Sequence, residues 1–363
     1  MRNLDVPIQL PLFTDEKTIS NEAYPFPSTR YQGSKNKITD WIWDNIKDLE
    51  FKTALDAFGG TAAVSHLLKR KNKKVIYNDI LKFNYIIGKA LIENDTVILS
   101  NEEVDFILNN RSGNFNFIQN TFRNIFYSEE ENIWLDNVIY NIEQLANEYK
   151  KAIAYFALFQ SCIIKRPYNL FHRANLYLRT AVVPRTFGNK SSWDKPFDYY
   201  FKHFIKEANQ SIFSNGNKCL AYNQDALELN LQKIDLVYFD PPYISSKGAS
   251  TDYLDFYHFL EGISSYSNWD KRINKKYKHM PIRQDNKSPW NDKKEIIIAF
   301  DSLIKKYQNS KIIISYRKDG IPTIEQLESL LYKYKTNVRI IYSKNYKYVL
   351  SGSDTKEVLL IAE

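Results

Sequence analysis

The strongest restriction on the fold comes from three signals that follow one another near the start of the chain. A strand-like run at residues 54–58 leads into the small-residue turn Gly59-Gly60-Thr61, and a helical pattern then covers residues 62–69. A second strand pattern at residues 74–79 follows at the expected distance and ends on an acid. Strand, turn, helix and strand make a βαβ unit, which places both strands parallel in one sheet. The sequence therefore predicts an α/β fold.

The alternation of strand and helix patterns stops after the second strand and resumes near residue 217. Helical patterns dominate the residues between, most clearly at 152–164. Strand and helix patterns then return at residues 220–222, 236–239, 295–307, 312–315, 324–331, 338–342 and 357–361. We predict a Rossmann-like body with a mostly parallel central sheet that carries an antiparallel edge hairpin. Residues 29–83 and 217–363 form this body, residues 84–216 are an inserted, mainly helical domain, and the proline-rich residues 1–28 are an N-terminal arm.

A hydrophobic run at residues 235–239 ends in the tetrad Asp240-Pro241-Pro242-Tyr243. Asp240 and the Pro241 carbonyl offer hydrogen-bond acceptors, the two prolines restrict the backbone, and Tyr243 offers a flat ring for stacking. A planar amine, such as the exocyclic amino group of a nucleobase, suits this combination. The alternative is a core tyrosine after a proline turn.

Ligands of open α/β sheets lie beyond the carboxyl ends of the strands. Asp56, Phe58 and Gly60 stand there after the first strand, and Asp79 stands there after the second. The turn lacks both the third glycine of dinucleotide-binding motifs and the lysine of nucleoside triphosphate loops. An amino acid joined to adenosine fits instead. A purely structural turn, with Asp79 as a solvated loop residue, is the alternative.

The charge balance favours a polyanionic partner. The 363 residues carry a formal net charge of +8, with 26 Tyr and 22 Phe. In the middle of the chain, aromatic residues alternate with five basic residues that we expect to contact the phosphates of a nucleic acid: Arg166, Arg173, Arg179, Arg185 and Lys190. An ordinary solvated face, and codon usage as the source of the aromatic content, are the alternatives. A second basic segment, residues 271–294, is predicted to be too polar to pack.

The cysteines, the N-terminal residues and the lengths of the apolar runs indicate the cellular compartment. Cys162 and Cys219 are the only cysteines and have no zinc-like spacing, which favours a reducing environment. The N-terminal residues lack a signal-peptide pattern, and no apolar run approaches the roughly 18 residues needed to span a bilayer. We expect a cytoplasmic protein without a membrane partner.

Taken in order, these motifs resemble the D12 class of S-adenosylmethionine-dependent DNA adenine-N6 methyltransferases in their alpha arrangement. In that arrangement the cofactor half precedes the target-recognition domain, and the catalytic tetrad follows it. The resemblance covers residues 30–90 and 218–363 and departs at Ala62, where the family usually has glycine. Its motifs are Arg30-Tyr31-Gln32-Gly33-Ser34-Lys35, Asp56-Ala57-Phe58-Gly59-Gly60-Thr61, Asn78-Asp79, Asp225 and the tetrad.

The resemblance implies roles for individual residues. Tyr31 and Lys35 would contact the methionine part of S-adenosylmethionine, with Lys35 as partner of its carboxylate. Asp79 would bind the ribose and Asp225 the adenine end. Asp56, Phe58 and Gly60 would line the methionine and sulfonium region, while Asp240, Pro241, Pro242 and Tyr243 would hold an adenine flipped out of the duplex. The product would be S-adenosylhomocysteine, and no metal is expected.

The same resemblance implies double-stranded DNA as substrate and a monomer or weak dimer, associated with the nucleoid when acting. The enzyme would be either the modifying partner of a separate restriction endonuclease or an orphan, phage-type methylase. Two other functions stay open at this point. One is a methyltransferase for RNA, the cytosine amino group or a protein glutamine, and the other is a silent nucleic-acid-binding subunit.

Overall fold

The computed structural model describes residues 24–109, 114–181, 190–284, 287–343 and 356–363. Most of the predicted N-terminal arm and the predicted DNA contact Arg185 lie outside these ranges. Within them, every helix is too short or too polar to cross a membrane.

Seven strands of the described residues form one sheet in the order β3-β2-β1-β4-β6-β9-β8. Strands β3, β2, β1, β4 and β6 are parallel, whereas β9 is antiparallel to both of its neighbours, β6 and β8. The predicted mostly parallel sheet with an antiparallel edge is thereby confirmed. Two short strands, β5 and β7, pair separately. The bounds are β1 Thr53–Asp56, β2 Lys74–Asn78, β3 Leu220–Tyr222, β4 Leu236–Phe239, β5 Ile244–Ser245, β6 Lys311–Arg317, β7 Gly320–Ile321, β8 Val338–Tyr342 and β9 Glu357–Ala362.

The central strands are apolar on both faces because helices cover both sides of the sheet. Successive side chains of a strand point to opposite faces. In β4, Leu236 and Tyr238 belong to one hydrophobic cluster, while Val237 and Phe239 belong to another on the opposite face. An uninterrupted apolar run such as residues 236–239 is therefore typical of a parallel strand buried on both sides.

Helices account for most of the remaining regular structure of the described chain. Strong N-caps fix the start of several of them: Ser100, Ser128 and Thr323 each form a capping box with a Glu or Gln three residues later. The bounds are α1 Thr39–Ile46, α2 Ala63–Arg70, α3 Lys82–Gly88, α4 Asn101–Leu108, α5 Phe117–Thr121, α6 Glu129–Glu143, α7 Glu148–Ile164, α8 Tyr177–Thr180, α9 Lys190–Asp194, α10 Phe197–Ser211, α11 Tyr253–Ile263, α12 Trp269–Arg272, α13 Glu295–Lys306 and α14 Ile324–Tyr332, with a π-helical turn at Lys89–Glu93.

The helices between β2 and β3 pack on one face of the sheet. Side chains of α7, such as Phe156 and Phe159, belong to the same hydrophobic cluster as Ala54 of β1 and Val75 of β2. Helix α7 is buried along almost its whole length and packs against α10. The helical character predicted for this segment is confirmed, and its boundaries as a domain at residues 84–216 stay a prediction.

The turn after β1 depends on a close approach at Gly59. A Cβ atom added there would lie 2.0 Å from the ring of Tyr77. That ring is fully buried, and its hydroxyl donates to the Gly60 and Asn84 carbonyls. The glycine is therefore required by packing.

We expect Gly59→Ala to lower the free energy of unfolding by about 3 kcal/mol, since the added methyl overpacks a core site that cannot give way. Gly216→Ala is the matched control: Gly216 has a φ of +77° and open space around it, so only about 1 kcal/mol of left-handed strain is expected. Urea denaturation of both variants measures the difference. Equal losses would contradict the packing argument.

Candidate active site

The polar side chains predicted from the sequence meet at one edge of the sheet. The chain proceeds outward from β1 to β2 and β3 on one side and from β4 to β6 on the other, so β1 and β4 flank the point where the strand order reverses. A cavity of about 510 Å³ opens there, beyond the carboxyl ends of the strands. The predicted residues that line it are Tyr31, Lys35, Asp56, Phe58, Gly60, Asp79, Asp225, Asp240 and Pro242.

Asp56, the last residue of β1, has one satisfied and one unsatisfied oxygen. Its Oδ2 accepts a hydrogen bond of 2.7 Å from the Ser65 hydroxyl. Its Oδ1 is buried and has no well-formed hydrogen bond from the described residues. Burial raises the pKa of Asp56 to about 7, and the charges of Asp240 and Asp79 add to this rise, while hydrogen bonding from the Ser65 hydroxyl and the Phe58 amide works against it. A buried acceptor that lacks a well-formed hydrogen bond indicates a place for a ligand that donates or carries positive charge.

Asp79 holds the turn after β1 in shape. Its Oδ2 accepts from the Gly60 amide at 2.9 Å and from Asn84 at 3.2 Å, and its Oδ1 accepts from the Leu81 amide at 2.8 Å. Burial raises its pKa to about 6, against these three hydrogen bonds. Asp79 lines the cavity, so a contact with a ligand hydroxyl is sterically open, and its predicted ribose role stays a prediction.

Aromatic rings surround the carboxylates. Tyr31 stacks on Tyr253 and Tyr257 of α11, with ring centroids 5.3 and 4.5 Å apart. Phe58 meets Trp290 edge to face at 4.9 Å. Tyr253 and Trp290 line the cavity together with Tyr31 and Phe58, so the cavity combines flat apolar walls with acidic groups. Such walls suit a purine ring.

Lys35 bridges two carboxylates at the catalytic end of the cavity. Its Nζ lies 2.9 Å from Asp240 Oδ1 and 3.2 Å from Glu357 Oε1, and all three side chains have little or no solvent exposure. Burial raises the pKa of Asp240 to about 6, the Lys35 ammonium works against this rise, and the Glu357 charge adds to it. Lys35 is thus engaged by carboxylates of the protein, and its predicted contact with a cofactor carboxylate stays a prediction.

The tetrad is held in place by a short strand directly after it. Strand β5 begins at the residue after Tyr243 and pairs with β7, which fixes the exit of the tetrad. Pro241 is buried and Pro242 lines the cavity. The Tyr243 ring is only 7% exposed, with the Arg317 guanidinium 5.1 Å from its centroid. This covered position argues against the predicted stacking of Tyr243 on a base.

The predicted DNA contacts in the helical segment separate into two groups. Arg166 is 1% exposed and donates to the carbonyls of Phe126, Leu170 and Arg173, with its guanidinium 4.5 Å from the Phe126 ring centroid. Arg179 makes a two-point contact with Glu131, at 2.9 and 2.6 Å. These placements correct the expectation of phosphate contact for Arg166 and argue against it for Arg179, because the Arg166 donors and the two terminal nitrogens of Arg179 are used inside the protein.

Arg173 and Lys190, by contrast, are exposed. Lys190 pairs with Asp194 at 2.8 Å, an exposed ion pair that a phosphate could replace at little cost.

The second basic segment packs better than the sequence suggested. Trp269 and Trp290 at its borders are buried, and Ile273 pairs with Ile282 across an antiparallel bridge. The prediction that residues 271–294 are too polar to pack is therefore wrong for these anchoring residues. Isolated apolar positions at 273 and 282 were the signal that charge density obscured. We call residues 271–283 the basic hairpin. Its exposed basic residues are Lys271, Arg272, Lys275, Lys276, Lys278 and Arg283.

Sequence reasoning missed Glu357, Tyr253 and Trp290 as residues of the site. Tyr253 begins α11, whose later residues are buried, and its position at the start of that helix places it in the cavity. Glu357 is a charged residue at the start of an otherwise apolar strand, which is the one signal that could have identified it.

Known proteins match this arrangement over most of the chain. A family model described as D12 class N6 adenine-specific DNA methyltransferase matches residues 31–330. The type II methyltransferase M2.HphI of Haemophilus parahaemolyticus is 30% identical over 341 residues, which cover 92% of this chain and 95% of that protein.

More distant relatives are the type II methyltransferases M.NlaIII of Neisseria lactamica and M.CviAII of Paramecium bursaria Chlorella virus 1. They are 24% and 25% identical, and the matched regions cover 84% and 91% of this chain and 88% and 96% of those proteins. The matches extend across both flanks of the cavity and the helical segment between them. The chain belongs to the D12 class of N6 adenine-specific DNA methyltransferases.

Proposed function

We propose that this enzyme methylates adenine at one DNA sequence by rotating the base out of the duplex into the cavity, where Asp240 and the Pro241 carbonyl accept its two amino protons. The observation that supports this is the position of Asp240 on the wall of a cavity that stacked duplex bases cannot enter. Adenine's amino lone pair is delocalised into the ring, so these two hydrogen bonds favour the tetrahedral nitrogen that attacks. Orientation of the nitrogen then supplies most of the rate.

The cavity suits S-adenosylmethionine as the methyl donor. Two carboxylates, those of Asp56 and Asp79, are buried around it and have raised pKa values, so a cationic ligand is favoured. S-adenosylmethionine supplies an electrophilic methyl group, whose bond to sulfur breaks with the electron pair left on sulfur. The Asp56 Oδ1 would accept from its ammonium group, and Phe58 would line the methionine and sulfonium region. Asp79 would accept from the ribose, and Asp225 would line the adenine end.

For DNA contact we propose the basic hairpin together with Arg173. The hairpin borders the cavity, since Arg272 lines it along with Gln284 and Lys287 just beyond the hairpin. Exposed lysines and arginines at the cavity mouth would grip the phosphates on either side of the everted nucleotide. The buried Arg166 would instead support the loop that presents Arg173.

Replacing Lys275, Lys276 and Lys278 by Ala should weaken DNA binding and reduce the slope of log affinity against log salt by about 1 for each lysine that contacts a phosphate. The matched control replaces Lys52, Lys74 and Lys233, which are exposed at the opposite, amino-terminal edge of the sheet, with the same change of charge. Fluorescence anisotropy at several salt concentrations measures both. Equal slopes in the two triple variants would place the DNA elsewhere.

We further propose a setting in which a separate restriction endonuclease cuts the same site, since the relatives are named type II methyltransferases. Long-read sequencing of DNA from a host that expresses this protein tests the proposed function, because it reports the modified base and its sequence context together. Methylated adenine in one recurring context is expected. A host genome without new methylation would contradict the proposal.

A further inference from the structure

The ion triad of Lys35, Asp240 and Glu357 contains more carboxylates than ammonium groups. Lys35 contributes one positive charge, and the two carboxylates contribute two negative charges when ionised. The side chains of Lys35, Asp240 and Glu357 are 4%, 17% and 0% exposed, so water screens these charges poorly. Glu357 is fully buried, lies 3.2 Å from the ammonium group and accepts a hydrogen bond of 2.5 Å from Ser315.

The charge surplus has a consequence for Asp240. If Asp240 and Lys35 stood alone, they would form a neutral pair, and the ammonium would hold the carboxylate in its ionised form as a weak proton acceptor. With Glu357 present, the ammonium is shared between two carboxylates. Asp240 then carries the surplus negative charge of the triad, and of the two carboxylates it is the one that lines the cavity.

We infer that Glu357 is a positioning residue that shares Lys35 with Asp240 and thereby makes Asp240 able to accept the proton released on methylation. The inference rests on the proposed role of Asp240. When the amino nitrogen gains the methyl group, one N–H bond breaks, its electron pair stays on nitrogen, and the proton goes to Asp240. Before the proton moves, the triad has one net negative charge, which matches the positive charge that develops on nitrogen. Afterwards the triad is neutral, with Lys35 paired to Glu357.

Other titratable groups face the triad, and they are unchanged in all the variants described below. They come from each element packed against it and are Asp56 after β1, Tyr238 and Tyr243 around β4, Tyr253 of α11, and Arg317 of β6, which lies opposite Glu357 in the β6–β9 register.

The test is the pH dependence of kcat/KM for the DNA substrate, measured at saturating S-adenosylmethionine so that titration of Asp56, whose pKa is also raised, does not set the acid limb. Activity requires ionised Asp240, so the rate rises with pH through the pKa of that carboxyl group, and this rise is the acid limb of the profile. Glu357→Gln removes the charge that raises the pKa of Asp240 but keeps an acceptor for Ser315. We expect its acid limb to move to lower pH and its kcat at neutral pH to fall about 10- to 100-fold.

Two further variants separate charge from structure. Glu357→Asp keeps the charge but withdraws it by one methylene, so its acid limb should lie between those of wild type and Glu357→Gln. Ser315→Ala keeps every charge, so its limb should stay in place even if its Tm falls. An acid limb at the wild-type pH in Glu357→Gln would overturn the inference. If that variant does not fold, an unmoved limb in Glu357→Asp overturns it instead.

Failure of the inference is distinguishable from failure of the proposed function. If wild type methylates adenine and loses activity in Asp240→Ala, the proposed function stands whatever the limb does. Absence of adenine methylation by wild type would instead remove the proposed function itself.

Discussion

Asp240→Ala is expected to lower kcat for adenine methylation about a thousand-fold, with affinities for S-adenosylmethionine and DNA within about three-fold of wild type. The carboxylate contributes to the transition state, where the amino nitrogen becomes positively charged, and groups placed for that purpose are each worth factors of about 10² to 10³. The variant should fold, because Lys35 keeps Glu357 as a partner at 3.2 Å and no buried charge is left alone.

Asp235→Ala is the matched control for Asp240→Ala. Asp235 lies at the other end of β4, is exposed, and accepts hydrogen bonds from the Lys52 and Thr53 amides. Its loss should reduce stability slightly and leave kcat unchanged. Single-turnover methylation and calorimetry separate chemistry from binding in both variants. A kcat near that of wild type in Asp240→Ala would exclude the proposed role of its carboxylate.

The second large effect is expected on cofactor binding. Asp56→Asn should weaken S-adenosylmethionine binding about 10- to 100-fold, since a charge-assisted hydrogen bond in a buried site is worth about 1.5 to 3 kcal/mol. The affinity of wild type should also rise with pH between about 5.5 and 7.5. Burial raises the pKa of Asp56 to about 7, so at lower pH the carboxyl group must lose a proton before it can pair with a cation.

Calorimetry in buffers of different ionisation enthalpy measures both effects, because the proton released on binding is taken up by the buffer. Asp56→Asn should bind S-adenosylmethionine without that proton release, and its affinity should depend less on pH. Asp136→Asn, which removes a buried carboxylate from the helical segment, is the control for general destabilisation. Equal affinities in wild type and Asp56→Asn would show that the ammonium group binds elsewhere.

The succession of strands and helices along the chain could be predicted from the sequence, because the patterns that indicate them are local. Apolar runs bounded by turns mark the parallel strands, and the strand, turn and helix around Gly59 mark the start of the sheet. The short pairing of β5 with β7 could not be predicted, because it depends on two-residue strands far apart in the chain, at residues 244–245 and 320–321. Long-range pairs of this kind leave almost no periodic pattern.

Acidic residues at strand ends could be identified as site residues from the sequence, whereas the roles of isolated charged residues could not. Asp56, Asp79 and Asp240 come at the ends of strands whose carboxyl termini meet, so their convergence is a result of topology. Arg166 illustrates the opposite case. Its position among aromatic residues is compatible both with a phosphate-binding surface and with a buried guanidinium packed on rings, and only the tertiary structure selects the second. Glu357 was missed because its partner, Lys35, lies more than 300 residues away in the chain.

The identity of the methylated nucleoside is the most direct test of adenine methylation at Asp240. Purified protein, S-adenosylmethionine and duplex DNA carrying the recurring context are incubated, and the DNA is then digested to nucleosides and analysed by mass spectrometry. We expect N6-methyldeoxyadenosine with wild type and, over the same time, about a thousand-fold less of it with Asp240→Ala. Methyldeoxycytidine in place of N6-methyldeoxyadenosine would contradict the proposed chemistry. So would N6-methyldeoxyadenosine formed equally by Asp240→Ala.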